Sequence, residues 1–359
     1  MNYRIAEVMA GEDLGDAGTK VIPIRLQDPI SRIVVRFRPV GGSIVATAHP
    51  VDAITRLELV DGSDVLFALK GHTLHALNVI EAPKPDITHL DYRVGGTPLI
   101  DVNIDFGRWL YDPELAFDPT RFKNPQLKLS WDEDVWDDGC DSHEFSILAH
   151  VFDEKVISPA GFLMTKEIKS YVPVANSYEY TDMPLDFPLR KLILQGRKYG
   201  YPPRSLIGAI KLSEDNDKRI PIDDDVYNME GILRLFGGEC EDWLIGTGPA
   251  AGSWTGYVTP SYMISLAAIG LDEVQEYAAP NLGGGRVLIT PETASKNLQA
   301  LVRGVFPHGC FCLPFGLQAD MADWYDVTKI GSLRLRLKGG TDAAATDMVH
   351  IATQQLRRY

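Results

Sequence analysis

Leu57-Glu58-Leu59-Val60-Asp61-Gly62-Ser63-Asp64-Val65-Leu66-Phe67, running on into Leu74-His75-Ala76-Leu77-Asn78-Val79-Ile80, decides the fold of this chain because it occurs twice. The second occurrence is Ile210-Lys211-Leu212-Ser213-Glu214-Asp215-Asn216-Asp217-Lys218-Arg219-Ile220-Pro221-Ile222, running on into Val226 to Phe236. In both, two alternating apolar runs flank a turn and lead into a helix-length segment. Asp61-Gly62 signals a hairpin, since glycine tolerates the positive φ of a tight turn, and Asp215-Asn216-Asp217 fills that place with an Asx-type turn. A second phrase recurs too. Phe106-Gly107, a polar stretch and Leu127-Lys128-Leu129 match Phe315-Gly316, a polar stretch and Leu333-Arg334-Leu335-Arg336-Leu337. Self-similarity on this scale marks a duplicated architecture.

The two repeats are unequally spaced. The hairpin phrases lie about 153 residues apart and the Phe-Gly phrases about 209, so the second copy holds roughly 55 extra residues between Gly237 and Val305. That insertion carries Trp243, Trp254, Tyr257 and Tyr262 among many glycines. It is expected to be a long, ordered, functional loop at one end of the unit.

Short alternating segments separated by Gly, Pro, Asn and Asp predict an all-β chain. Strands are expected over Ile30 to Phe37, Arg56 to Val60, Val65 to Leu69, Leu99 to Ile104, Gln126 to Trp131, Phe145 to Phe152 and Arg286 to Ile289. Helices are expected at His72 to Ile80 and Val226 to Phe236, the latter after Asp223-Asp224-Asp225, whose carboxylates suit a helix N-terminus. A third is expected to open at Thr290-Pro291-Glu292 and carry Leu298, Leu301 and Val302. A domain boundary is placed near Asp182 to Phe187, where Met183-Pro184 and Phe187-Pro188 punctuate the chain.

At 359 residues the chain fits two domains. A formal charge of −14 argues against a phosphate-binding surface, so no specific nucleic-acid partner is expected. Met1 to Gly18 is mixed and acidic without an apolar core, and the longest apolar stretch, Tyr262 to Leu271, is half a membrane span. A soluble protein made in a cytoplasm is expected. Cys140, Cys240, Cys310 and Cys312 are too few and scattered for a disulfide framework.

Several constellations offer groups with chemical potential. His72 and His75 stand at i, i+3 in the first helix, but Asp225 and Asn228 replace them in the second copy, so a metal-dependent bicupin is disfavoured and a helix-surface pair expected. Cys310-Phe311-Cys312 with His308 and Cys240 offers one soft-metal knuckle where structural zinc needs two, and alternation puts both cysteines on one buried strand face. Asp132-Glu133-Asp134, Asp137-Asp138 and Asp141 supply oxygen ligands for Ca²⁺ but lack EF-hand spacing and its glycine, and read as a solvated loop. Asp101, Asp105 and Glu144 are candidate glycosidase carboxylates that spacing alone cannot pair. Gly252-Ser253-Trp254-Thr255-Gly256 misplaces the serine of a nucleophile elbow. Gly283-Gly284-Gly285-Arg286 lacks the end of a phosphate loop and reads as a turn. No catalytic, cofactor-binding or metal-ligating residue is assigned, no cofactor is expected, and the chain is read as structural, not an enzyme.

Four features carry a family resemblance. They are Asn124-Pro125-Gln126-Leu127-Lys128-Leu129 entered from a long loop after Phe106-Gly107, the run Phe187-Pro188-Leu189-Arg190-Lys191-Leu192-Ile193-Leu194, the duplicated hairpin-and-helix phrase, and the ending Ile351 to Tyr359. In these, from about Val21 onward, the chain resembles the double jelly-roll major capsid proteins of the tectivirus–adenovirus lineage, with a bacteriophage as the expected source. The resemblance implies two tandem eight-stranded jelly rolls, all-β with a few short helices. It sets an N-terminal arm at 1–18, a first roll at 19–183 and a second at 184–359, with a loop insertion at about 238–292. It also implies a homotrimer of pseudo-hexagonal outline, tiling with neighbouring trimers and with penton or minor capsid proteins in an icosahedral virion. The arm would lie against an internal membrane or a neighbour, using Ile5, Val8 and Met9. The alternative is a carbohydrate-binding or carbohydrate-active double β-sandwich.

Overall fold

The structure is a computed structural model and describes residues 1–41, 46–82, 86–136, 140–236, 238–247, 254–270, 276–279, 284–291 and 297–359. Period-two burial builds many of the strands: in Pro125–Asp132, for example, Leu127, Leu129 and Trp131 point inward between half-exposed neighbours. The first unit contains β1 (Tyr3–Asp13), β2 (Ala17–Pro23), β3 (Ile30–Val40), β4 (Ile54–Asp61), β5 (Asp64–Leu69), α1 (Gly71–Glu81), β6 (Asp86–Asp91), β7 (Ile100–Asp105), β8 (Pro125–Asp132) and β9 (Ser142–Phe152). The second contains β10 (Gly161–Tyr171), β11 (Tyr178–Asp182), β12 (Leu189–Arg197), β13 (Ile207–Glu214), β14 (Arg219–Asp225) and α2 (Val226–Phe236). Next come β15 (Glu239–Thr247), β16 (Trp254–Tyr257), β17 (Pro260–Gly270), β18 (Glu276–Ala279), β19 (Arg286–Pro291) and β20 (Asn297–Pro307). The chain closes with β21 (Cys310–Pro314), β22 (Leu333–Gly339) and β23 (Met348–Arg358).

The two units match strand for strand. Sheet β1-β9-β3-β7 has its counterpart in β10-β23-β12-β21, and β2-β8-β4-β5 in β11-β22-β13-β14. Each unit is therefore an eight-stranded jelly roll, and the pairing of Lys166 with Ala68 joins one sheet of each into a continuous eight-stranded sheet. The repeat reaches single hydrogen bonds. Asp61 accepts the N–H groups of Lys123 (3.2 Å) and Asn124 (2.7 Å), and Asp215 accepts those of Gly331 and Ser332, both at 2.9 Å. Each aspartate thus fastens a hairpin to the chain entering the neighbouring strand. Gly62 takes a φ of 62°, and Asp215, Asn216 and Asp217 are all left-handed, as their turn types require.

Four expectations need correction. Residues 1–18 are not a free arm, because β1 pairs with β9 and β2 with β8. β1 is an edge strand with Ala6 as its one buried residue, so it shows almost no alternation. Sheet membership divides the rolls in the link after Phe152, not at 183/184: β10 and β11 already pair within the second roll, and Leu189 opens its third strand. Where a helix is expected from Thr290, Thr290 and Pro291 end β19, and Leu298, Ala300 and Val302 alternate inward on β20. Glu292 lies outside the described residues. In its described residues the insertion is largely β-structure, not a loop: β17-β20-β15 form a sheet completed by β6 of the first roll, and β16-β19-β18 form another.

Candidate functional site

The most elaborate polar site lies on the seam between the rolls. Leu192, Leu194, Phe311 and Leu313 point into the second roll's core, which turns Lys191, Ile193, Gln195, Cys310 and Cys312 outward onto α1 of the first. Thr73 donates to Gln195 (2.7 Å), while Lys191 (2.6 Å) and Arg190 (2.7 Å) donate to Glu81. His75 Nδ1 lies 2.8 Å from Nε2 of His308 in the β20–β21 turn. That turn is held tightly: His308 has a φ of 48°, Gly309 one of 71°, and a Cβ on Gly309 would stand 2.4 Å from the Gly196 carbonyl oxygen. Gln195 donates to the His308 carbonyl (2.9 Å). Beside it, Asp52 of the first roll pairs with Arg197 of the second and accepts from Tyr199 (2.9 Å). His49 caps the turn Pro50–Ala53 through Nδ1 (3.2 Å).

Burial sets the charge states here. It pushes His49 and His308 well below the usual imidazole range, and neighbouring histidines and Arg197 add to the effect. Burial would raise Asp52, but the charge of Arg197 overrides it and holds the carboxyl below its usual range. Glu81 is likewise disfavoured by burial, yet Lys191 and Arg190 bring it down to about 2. The seam is thus an ionised pair and a carboxylate clamp beside neutral imidazoles. These contacts lock the first roll to the second.

The two equivalent helices differ in what covers them. In α1, Gly71, Thr73 to Leu77 and Val79 are buried, whereas α2 buries Val226, Glu230 and Leu233 alone. Tyr227 (69%), Ile232 (60%), Leu235 (80%) and Phe236 (47%) are left exposed. The counterpart of the sheet face under α1 is the outer face of β1-β9-β3-β7, which is open. Arg32 grips Asp105 (2.5 and 3.0 Å), Arg36 grips Asp101 (2.8 and 2.8 Å), and Arg38 lies 3.5 Å from Glu144. A cavity of about 800 Å³ beside this face is bounded by Asp101, Asp105, His75 and Trp109.

The residues weighed from sequence fall into place accordingly. Asp101, Asp105 and Glu144 share one sheet face, but an arginine engages each. His75 is buried at the seam, and His72 is half-buried, so they are not the helix-surface pair expected. Cys310 and Cys312 share a buried strand face as predicted, and the bond to Cys312, with burial, raises the Cys310 thiol. His308 turns to His75, and Cys240 donates to Gly304, so these residues do not form one donor set. Glu133 of the acidic run is buried, not solvated; Asp137 and Asp138 lie outside the described residues. Trp254 to Gly256 lie in β16, with Gly252 and Ser253 outside the described residues; Gly284 and Gly285 form the turn into β19, with Gly283 likewise outside. His49, Asp52, Arg197 and Tyr199 went unremarked in the sequence, where no local spacing links residues some 150 positions apart.

No family model and no curated protein sequence matches the chain. Solved structures do. The major capsid protein P2 of Bacteriophage PM2 is 11% identical, with 99% of this chain and 98% of that chain covered and a TM-score of 0.54. A chain from the atomic structure of Sulfolobus Turreted Icosahedral Virus is 11% identical over 100% and 92%, with a TM-score of 0.58. PBCV-1 VP54, fitted into a reconstruction of the virophage Sputnik, is 10% identical over 99% and 94%, with a TM-score of 0.58. The likeness spans both rolls and the insertion, and the chain has the double jelly-roll fold of these viral capsid proteins.

Proposed function

We propose that this chain is a major capsid protein that assembles as a homotrimer of pseudo-hexagonal outline, six rolls from three chains, and tiles with neighbouring trimers and minor capsid proteins into an icosahedral shell. The observation that carries the reading is the unequal burial of α1 and α2. Within the chain, α1 of the first roll lies on the outer face of the second roll's β10-β23-β12-β21 sheet. Repeating that step places α2 on the outer face of β1-β9-β3-β7 of the next chain, and three repeats close the ring. Both surfaces are open in the single chain, and one is apolar helix while the other is half-buried sheet. Burying Tyr227, Ile232, Leu235 and Phe236 contributes roughly 1.5–3 kcal/mol each. That sum is comparable with the 4–15 kcal/mol cost of association, so the helix helps to hold a trimer only as part of a wider lateral contact.

On this reading the protein has no catalytic role, and the β15–β20 insertion belongs to one rim of the trimer. The neighbours include a bacteriophage protein and a Sulfolobus virus, so the fold does not select a host. The carbohydrate alternative rests on Trp109, half exposed beside acidic side chains, but Arg108 already lies 4.4 Å over its ring. Negative-stain imaging of the purified chain tests the proposal. Particles of hexagonal outline are expected, and a monomer that binds oligosaccharides would overturn it.

A further inference from the structure

The corner where β8 passes into β9 holds a set of side chains that the jelly roll does not require. Glu133 opens the short 3-10 turn Glu133–Val135, and its backbone is fixed at both ends. Its N–H donates to the Asp16 carbonyl (3.0 Å), and its carbonyl accepts from Trp136 N–H (2.6 Å). Its side chain is turned inward and is 6% exposed. His143, the second residue of β9, sits opposite Pro39 of β3 and is 3% exposed. Cys140 is half-buried between them in sequence. One donor atom from each of Glu133, Cys140 and His143 lies within 4.8 Å of the other two. Among the described residues this is the one group of three such donors that converges.

The imidazole is also oriented. Nε2 faces the Glu133 carboxylate, while Nδ1 lies 3.8 Å from Oδ1 of Asp13. Asp13 is itself held, accepting the N–H groups of Gly15 (3.0 Å) and His143 (3.3 Å) through that oxygen. Metal-ligating histidines commonly hydrogen-bond a carboxylate through their second nitrogen; at 3.8 Å Asp13 stands near Nδ1 as a neighbouring charge, beyond hydrogen-bond distance.

The second roll closes the equivalent corner differently. Val349 stands where His143 does, as the second residue of its strand. The turn before it is held by Asp347, which accepts from Ala344 N–H (2.8 Å) and Lys198 Nζ (3.0 Å). Nothing in the shared architecture therefore calls for a carboxylate, a thiol and an imidazole to meet in the first roll.

We propose that Glu133, Cys140 and His143 bind one zinc-like divalent transition-metal ion, which staples the β8–β9 corner to the sheet. One oxygen, one sulfur and one nitrogen donor suit zinc and its neighbours, whereas Ca²⁺ and Mg²⁺ take oxygen ligands alone. Ligand atoms around a tetrahedral zinc stand roughly 3.3–3.8 Å apart at bond lengths of about 2.0–2.3 Å. Small rotamer changes would open the close His143–Glu133 approach to that spacing and keep Cys140 Sγ, already within 4.8 Å of both, in reach, with water as the fourth ligand. The ion's charge offsets the buried carboxylate and the thiolate, and Cys140 loses its proton to solvent on binding. The proposal is independent of the capsid reading.

Cobalt titration of the chelator-treated, full-length protein tests it. One equivalent of Co²⁺ per chain should give a thiolate-to-cobalt absorption band in the near ultraviolet, displaced by Zn²⁺ and absent in Cys140→Ser. Asp13→Asn should weaken binding, because it removes the negative charge 3.8 Å from His143 Nδ1. Cys140 is half-buried, so its serine variant should keep the wild-type circular dichroism spectrum even if His143→Asn does not fold. The proposal is overturned by the absence of a stoichiometric cobalt complex. A complex without the thiolate band that survives Cys140→Ser, or binding of Ca²⁺ alone, would overturn it equally.

Discussion

Leu77 in α1 and Ile232 in α2 are the seventh residues of two equivalent eleven-residue helices, yet Leu77 is 4% exposed and Ile232 60%. The difference has one physical source: the second roll lies on α1, and no element among the described residues lies on the same face of α2. Leu77→Ala should therefore cost the isolated chain about 2–5 kcal/mol through a cavity at the seam. Ile232→Ala should cost it no more than about 0.5 kcal/mol. Denaturant unfolding of the dissociated chain measures both, and equal costs would contradict the equivalence.

The seam should weaken in mild acid. His49 and His308 have folded pKa values below the ordinary ~6.5, so the unfolded chain takes up protons first as pH falls. Their contribution is complete above about pH 6.5 and is lost below it, at up to ~1.4 kcal/mol per pH unit for each proton. Asp105, raised to about 6 by burial against the pull of Arg32, has the opposite sign between about 6 and its unfolded value near 3.8. Glu81, held at about 2, adds its own loss below about 4.5. Stability measured at pH 7.5, 6 and 5 should fall for the wild-type chain and fall less steeply for His308→Gln.

The β20–β21 turn should be intolerant of any side chain at Gly309. A Cβ there meets the Gly196 carbonyl oxygen at 2.4 Å, and the φ of 71° is left-handed. Gly309→Ala is expected to cost about 1–3 kcal/mol from backbone strain alone, with the clash in addition. The signature is a lower melting midpoint and a shifted His308 imidazole signal by nuclear magnetic resonance.

Asp61 and Asp215 predict a matched pair of effects with one asymmetry. Removing either carboxylate leaves two backbone N–H groups without their acceptor, costing about 1–3 kcal/mol where water cannot replace it. Asp215 is also left-handed, with a φ of 46°, where alanine is strained by roughly a further 1–2 kcal/mol. Asp215→Ala should thus destabilise more than Asp61→Ala; asparagine should restore most of the loss at Asp215, where one oxygen takes both N–H groups, and only part of it at Asp61, where each oxygen takes one. The reverse order in thermal melts would contradict the turn geometry.

The duplicated hairpin and helix were legible because their determinants are local: alternation, a glycine or Asx turn, and a helix-length apolar run. β1 was not, since an edge strand buries one residue and shows no period. The third helix misled because Thr290-Pro291, the end of β19, imitates a helix start, while Leu298, Ala300 and Val302 on β20 keep the period of a strand. The roll boundary was missed for a related reason: Met183-Pro184 and Phe187-Pro188 interrupt the chain within the second roll, and β10 is assigned by pairing with β23 at the far end of the sequence. The seam was invisible for the same reason. His49, Asp52, Arg197 and His308 are ordinary residues until two rolls bring them together.

The particle mass of the wild-type chain beside an Ile232→Asp/Leu235→Asp variant, by sedimentation or mass photometry, tests the central claim most directly. The account predicts three wild-type chains per particle and a monomeric variant with unchanged circular dichroism, since neither side chain is buried within the chain. A monomeric wild type, or a variant that still forms trimers, would contradict it.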